Sequence, residues 1–132
     1  MLIELTYKGK TLVFSTDCEH YEDRPNKNLI ELCKDADVLI YDAQYTEDEY
    51  YGLNGQFSRK GWGHSTMQEG VKVAKAANVK QLVLFHHDPS HDDNFIKQIE
   101  AESRQLFPKS IAAYEGLQID LSQDACPKSL FD

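Results

Sequence analysis

Apolar and polar positions along the chain fall into short blocks whose period changes from one block to the next. Leu2 to Tyr7 alternates loosely, Lys8-Gly9-Lys10 supplies a glycine-centred turn, and Thr11 to Ser15 is again apolar and β-branched. The two runs predict a β-hairpin. Tyr21 to Asn28 is polar, contains Pro25 and reads as loop; then Leu29, Ile30 and Cys33 share one face of a short helix capped by Asn28 or Asn26. Val38-Leu39-Ile40-Tyr41 is a continuous apolar run, the pattern of a strand covered on both faces, and it ends on Asp42.

Thr46 to Tyr51 reads as one or two helical turns, with Thr46 as cap and acids in the first turn. Gly52 to Gly63 holds four glycines and is long for a connection, which makes it a candidate lid. Two overlapping capping boxes, Ser65 with Gln68 and Thr66 with Glu69, open the next helix. Its stripe Met67, Val71, Ala74 and Ala77 is narrow enough to lie close on a sheet. After the apolar strand Leu82 to Phe85, Asp92 and Asp93 start a third long block with Phe95, Ile96, Ile99, Ser103 and Leu106 at helical spacing, stopped by Pro108. Ile111 to Tyr114 and Leu117 to Leu121 are two short strand candidates, and the tail from Ser122 is expected to be loosely held. The order ββ-α-β-α-β-α-β(β) is that of an α/β layer with a mainly parallel sheet and crossover helices.

A length of 132 residues suits one domain with a sizeable core. No apolar run reaches the roughly 18 residues of a membrane span and no leader pattern opens the chain, so a cytoplasmic location is the expectation. Cys18, Cys33 and Cys126 are too scattered for a disulfide framework or a cysteine zinc site. The net charge of −8 repels polyanions and disfavours nucleic acid without excluding it, since bound cations can reverse the sign locally.

Chemistry concentrates between Gly61 and Asp93, which holds four of the five histidines. Three strands end on Asp17, Asp42 and His86, and parallel neighbours bring their carboxyl ends to one edge of a sheet, where ligands collect. His64 stands just before a helix N-terminus, a natural place for a phosphate or carboxylate. His86 and His87 compete for the strand-end position, since neighbours on a strand face opposite ways. His87 and His91, among acids, offer a local metal pair that Pro89 interrupts, so a solvated loop is expected there. His20 reads as a surface residue and Trp62 as either a pocket wall or a core aromatic.

Phe14-Ser15-Thr16-Asp17, Val38 to Tyr45, Gly63-His64-Ser65-Thr66, Leu82 to His86 and Ala113-Tyr114-Glu115-Gly116-Leu117 resemble, in that order, the C-terminal half of metallo-β-lactamase-fold hydrolases. The nearest likeness is to the phosphodiesterase branch that includes tRNA 3′-processing endonucleases and cyclic-nucleotide phosphodiesterases. The resemblance implies an α/β fold: half of an αββα sandwich, a mixed sheet with crossover helices. It implies that Asp17 bridges two divalent metal ions, zinc above all, that His86 is a metal-binding histidine, and that His64 contacts the scissile phosphate without binding metal. Asp42 falls where the branch places a glutamate that orients this histidine, one methylene shorter here.

The family's His-x-His-x-Asp-His motif belongs to the other half of the fold and does not occur in these residues. Asp17 and His86 alone cannot complete a site of about three protein ligands plus water. The chain therefore reads as carrying part of an active site, as a fragment, a truncated reading frame or a subunit completed by a partner chain or self-association, with a small phosphodiester or related ester as substrate. The competing readings are a non-catalytic remnant or interaction domain, favoured by a bare apolar sheet face, and a phospho-receiver-like domain with Asp42 as acceptor.

Overall fold

Two consecutive left-handed residues, Lys8 (φ 49°) and Gly9 (φ 75°), turn the chain back on itself and set the register Tyr7 to Lys10. That is a two-residue hairpin loop whose twist matches its strands, and it needs positive φ at both positions. It joins β1 (Leu2–Tyr7) to β2 (Lys10–Ser15) in a computed structural model that describes residues 1 to 132. There follow α1 (Lys27–Leu32), β3 (Val38–Asp42), α2 (Glu47–Tyr51), α3 (Met67–Ala77), β4 (Gln81–Phe85), α4 (Asp93–Leu106) and β5 (Ser110–Ala112). The sheet has the order β1-β2-β3-β4-β5, antiparallel only at β1 and parallel elsewhere, as expected for crossover helices. No helix is long and apolar enough to cross a membrane.

Side chains alternate across the sheet. Val13, Leu39, Tyr41, Leu82 and Leu84 face the helices and share a core with Leu29 and Cys33 of the α1 region, Met67, Val71, Ala74 and Ala77 of α3, and Ile99 of α4. The stripe on α3 approaches closely because Gly70 lies in it. A Cβ at Gly70 would stand 2.8 Å from the Tyr41 ring, nearer than packed carbons can come.

The opposite face carries Val38, Val83 and Ile111, packed against Leu12, Ile40, Tyr114, Leu117, Ile119, Leu121 and Cys126. Leu117 to Leu121 is therefore no strand: it crosses this face as an irregular cover, and β5 ends at Ala112. The tail is tied rather than loose. Gln81 Nε2 donates to the Ala125 carbonyl at 2.9 Å, and buried Ser129 donates its hydroxyl to Glu100. The cover stops short of the hairpin, where Ile3, Leu5 and Tyr7 stay exposed beside Phe14 and Leu12. The bare sheet face foreseen from a half-sandwich is thus confined to the β1–β2 flank.

Helix starts follow the caps, with one exception. Asn26 caps α1, Thr46 and Glu49 form the capping box of α2, and Asp92 caps α4. At α3 only Thr66 caps; Ser65 is drawn into the site described below.

At the other edge of the sheet, Asp37 ties three strands together. Its carboxylate accepts from the Thr11 N–H at 2.8 Å and pairs with Lys80 at 2.9 Å and Lys10 at 3.4 Å. Burial would raise its pKa, but these donors outweigh it and hold it at about 2. Because the folded value lies below the unfolded one of about 3.9, the stabilisation is complete above that pH and is lost as pH falls through about 2. Asp37→Asn should therefore unfold more easily than the wild type at pH 7, with the difference in urea midpoints closing by pH 2. A gap that persists at pH 2 would mean that the carboxylate charge is not what binds the strands.

Candidate metal centre

The carboxyl ends of β2, β3 and β4 meet at one edge of the sheet, and each delivers one chemical group. β3 ends on Asp42, which is completely buried. Its Oδ2 accepts from the Asp17 N–H at 2.9 Å and from His64 Nδ1 at 2.8 Å; its Oδ1 accepts from the N–H groups of Gln44 and Ser65, both at 3.3 Å. An ionised carboxylate offers about four lone-pair positions, and here all four are taken. Such a buried charge is tolerated because it is fully hydrogen-bonded. The short arm of an aspartate reaches His64 without difficulty.

Asp17 and His86 follow the ends of β2 and β4 with φ of 50° and 62°. Left-handed backbone costs a non-glycine residue about 1–3 kcal/mol and gathers at functional sites, with Asp and His among the types that adopt it most readily. The Asp42 bond to the Asp17 amide holds the first of these turns in place. Asp17 Oδ2 accepts from the Thr16 hydroxyl at 2.7 Å, leaving Oδ1 3.7 Å from His86 Nε2. The Thr16 hydrogen bond, with help from the nearby His86 and His64 imidazoles, lowers the Asp17 pKa below the ordinary carboxylate value.

His86 is oriented by a residue that the sequence reading left without a role. Gln44 points its amide nitrogen at Tyr45 Oη (3.3 Å) and at the Asp88 carboxylate (3.4 Å), so its Oε1 faces His86 Nδ1 at 2.7 Å. Nδ1 then carries a proton, and Nε2 is the ring atom turned toward Asp17. His64 is fixed in the same way by Asp42, its ring stacked on that of His86 at 4.6 Å and 15° and met edge-on by Tyr45 at 6.0 Å.

Asp17, His64 and His86 offer one donor atom each within 4.8 Å of one another. Two donors about 2.1 Å from a tetrahedral ion lie about 3.4 Å apart, close to the separation of Asp17 Oδ1 and His86 Nε2. The mixed nitrogen and oxygen donors, with Gln44 and Asp42 orienting the two rings, suit a divalent metal.

His87 turns away. Its Nε2–H donates to the Ala113 carbonyl at 3.1 Å, and burial depresses its pKa. His91 does not pair with it on a metal, nor is it solvated: it is buried, bonded to both oxygens of Glu49 at 2.9 and 3.1 Å, with Arg59 3.5 Å from the same carboxylate. His20 is also no surface residue. Its ring packs on Tyr50 and its Nδ1 meets Ser65 Oγ at 2.9 Å, while Ser65 Oγ also reaches the Tyr41 hydroxyl at 3.0 Å. Burial lowers the His20 pKa.

An α/β layer with this mixed sheet, and with an aspartate and two histidines at its carboxyl edge, places the chain among metallo-β-lactamase-fold proteins. The profile of the beta-lactamase superfamily domain matches residues 1–87, and the chain belongs to that superfamily. Ribonuclease Z of Bacillus subtilis is 30% identical over 119 residues, covering 90% of this chain and 35% of the relative. Ribonuclease Z of Brevibacillus brevis is 34% identical over 104 residues, covering 76% and 29%. Among solved structures, the metallo-beta-lactamase fold protein YhfI from Bacillus subtilis superposes with a TM-score of 0.63 at 19% identity, over 84% of this chain and 39% of that one. Human tRNase Z, short form, gives 0.58 at 22% identity, over 89% and 37%. The chain spans about a third of the length of the curated relatives it matches.

Replacing Gln44 by Leu leaves His86 Nδ1–H without its acceptor. The expected result is a mixture of His86 tautomers and a zinc affinity about 10–100-fold weaker, read by chelator competition. An unchanged affinity would show that the ring is held by other means.

Proposed function

We propose that these residues are the C-terminal part of a metal-dependent phosphodiesterase that acts on RNA. In this reading Asp17 and His86 hold divalent metal, zinc by the character of the donors, and His64 works on the phosphate without ligating. The observation that carries it is the convergence at the sheet edge: Asp17 Oδ1 faces His86 Nε2, and the other ring nitrogens of His86 and His64 are committed to Gln44 and Asp42. The relatives named ribonuclease Z, and the tRNase Z neighbour in structure, favour an RNA phosphodiester over a small ester. The charge of −8 that argued for the small ester belongs to a chain about a third as long as those relatives.

Bound metal would supply Lewis acidity and an activated water. The protein's own groups do the rest. His64 keeps one proton on Nδ1 against Asp42 and presents Nε2 to the substrate; with a second proton on Nε2 it donates to a phosphate oxygen or gives that proton to the leaving oxygen. The stacked His86 ring and the edge of Tyr45 restrict rotation of that imidazole. Asp42 is a positioning residue for both His64 and Asp17. A two-metal site needs more donors than Asp17 and His86 provide, and the remainder of an αββα sandwich would bring them while covering Ile3, Leu5, Tyr7, Leu12 and Phe14 on the open flank.

The test is metal content and hydrolysis measured on the full-length protein. His64→Ala should keep its zinc, by elemental analysis, and lose about 10²–10⁴-fold in kcat on an RNA with a 3′ extension and on bis(p-nitrophenyl) phosphate. Asp17→Asn should lose metal and activity together. Wild-type kcat in His64→Ala would remove that residue from the chemistry, and activity undiminished after complete metal removal would overturn the reading.

A further inference from the structure

Trp62 is the only tryptophan in the chain, and 63% of its surface is exposed. It is not a core aromatic. A single exposed aromatic is unremarkable in itself, but this one is held in place from both sides. The Glu19 carboxylate accepts from the Gly61 N–H at 2.7 Å through Oε1 and from the Gly63 N–H at 3.1 Å through Oε2. One side chain thus ties down the residues before and after Trp62. Both glycines are left-handed, at φ 80° and 88°, which closes the backbone into a tight bow with the tryptophan at its apex.

The clamp is itself anchored. Tyr50 donates its hydroxyl to Glu19 Oε1 at 2.6 Å, and the Trp62 N–H donates to the Arg59 carbonyl at 3.2 Å. Burial would raise the Glu19 pKa, but Tyr50 and the two glycine amides outweigh it and keep the group a carboxylate. The residue after the bow is His64, whose ring lies in the Asp17–His86 cluster. The fold therefore fixes the backbone that carries a large, flat, solvent-facing π surface two residues from the imidazole that would meet the phosphate. Phe57 and Leu53, earlier in the same loop, are also exposed, without such a clamp.

We infer that Trp62 is a stacking platform for the nucleobase next to the phosphodiester held at the metal centre. The inference rests on the phosphodiesterase reading for its placement. Stacking suits an exposed indole on a clamped backbone: every base has a π surface, so the contact gives affinity without sequence choice, and by alanine substitution is worth several-fold to more than a hundredfold in binding. Glu19 acts as the positioning residue that presents the ring.

The experiment compares wild type, Trp62→Ala and Trp62→Phe in the full-length protein. Substrates are a short oligoribonucleotide and the same oligomer with an abasic residue beside the scissile phosphate. Because the side chain is exposed, Trp62→Ala should melt at the wild-type temperature. Its KM for the base-bearing oligomer should rise at least about fivefold with kcat unchanged, Trp62→Phe should recover most of the loss, and the abasic oligomer should not distinguish the three proteins. Equal KM values on the base-bearing oligomer, or the same loss on both oligomers, would overturn the inference.

Fluorescence separates this from failure of the phosphodiesterase reading. The emission of wild type minus that of Trp62→Phe isolates Trp62, and it should be quenched by the base-bearing oligomer and not by the abasic one, whether or not either is cleaved. Absence of that quenching in a protein that hydrolyses RNA would reject the platform and leave the phosphodiesterase standing. Quenching by adenosine 5′-monophosphate alone, as strong as by the oligomer, would assign the stacked base to a mononucleotide substrate.

Discussion

The carboxylate of Asp42 is the interaction on which the site depends. It sits fully buried at the end of β3 and fills its oxygens with four donors from three separate stretches: the Asp17 amide after β2, the Gln44 amide after β3, and the Ser65 amide and His64 ring before α3. Remove the carboxylate and all four donors lose their acceptor, the Ser65 amide in a fully buried position and the others in partly buried ones, which is costly for the groups left behind. A single aspartate thereby couples the two halves of the proposed chemistry. It fixes the turn that carries the metal-facing carboxylate, and it fixes the ring that would meet the phosphate.

Two further polar groups extend the frame outward. Gln44, held by Asp42 through its backbone and by Asp88 and Tyr45 through its side chain, sets the tautomer of His86. Glu19, two residues beyond Asp17, reaches across to the glycines flanking Trp62. The chain from Asp17 to Glu19 is thus bonded at one end to the strand edge and at the other to the loop before His64. A buried, fully satisfied carboxylate such as Asp42 at the centre of this network specifies one arrangement more sharply than apolar packing does. The arrangement tolerates left-handed backbone at Asp17 and His86 because neighbours on all sides hold it.

Much of this was legible in the residues themselves. Apolar runs ending on Asp17, Asp42 and His86 marked the strands and their loaded ends, because a parallel sheet buries both faces and must change character where it stops. Thr46 with Glu49 and Thr66 with Glu69 marked helix starts through local hydrogen bonds alone. What escaped depends on contacts between distant segments. Ser65 looked like a cap by its spacing to Gln68, yet Asp42 and Tyr41 claim it. His20 and His91 looked solvated among acids, yet His20 is half-buried on Tyr50 and the His91 side chain is buried against Glu49. Leu117 to Leu121 had the composition of a strand, but its apolar side chains pack over Val38, Val83 and Ile111 and make it a cover for the sheet face. Gln44 and Glu19 carry no motif; their roles appear only when residues more than 40 positions away are brought beside them.

The most direct measurement of the central claim is ring-nitrogen NMR of His64 and His86 in wild type and in Asp42→Asn. An asparagine cannot accept from four donors, since half of its amide is itself a donor. If Asp42 organises the site, the wild type shows a proton held on Nδ1 of both rings, and Asp42→Asn loses the fixed Nδ1 proton of His64 while the backbone resonance of Asp17 shifts. Wild-type ring signals and an unmoved Asp17 amide in Asp42→Asn would contradict the account, because the two groups would then be held without the carboxylate.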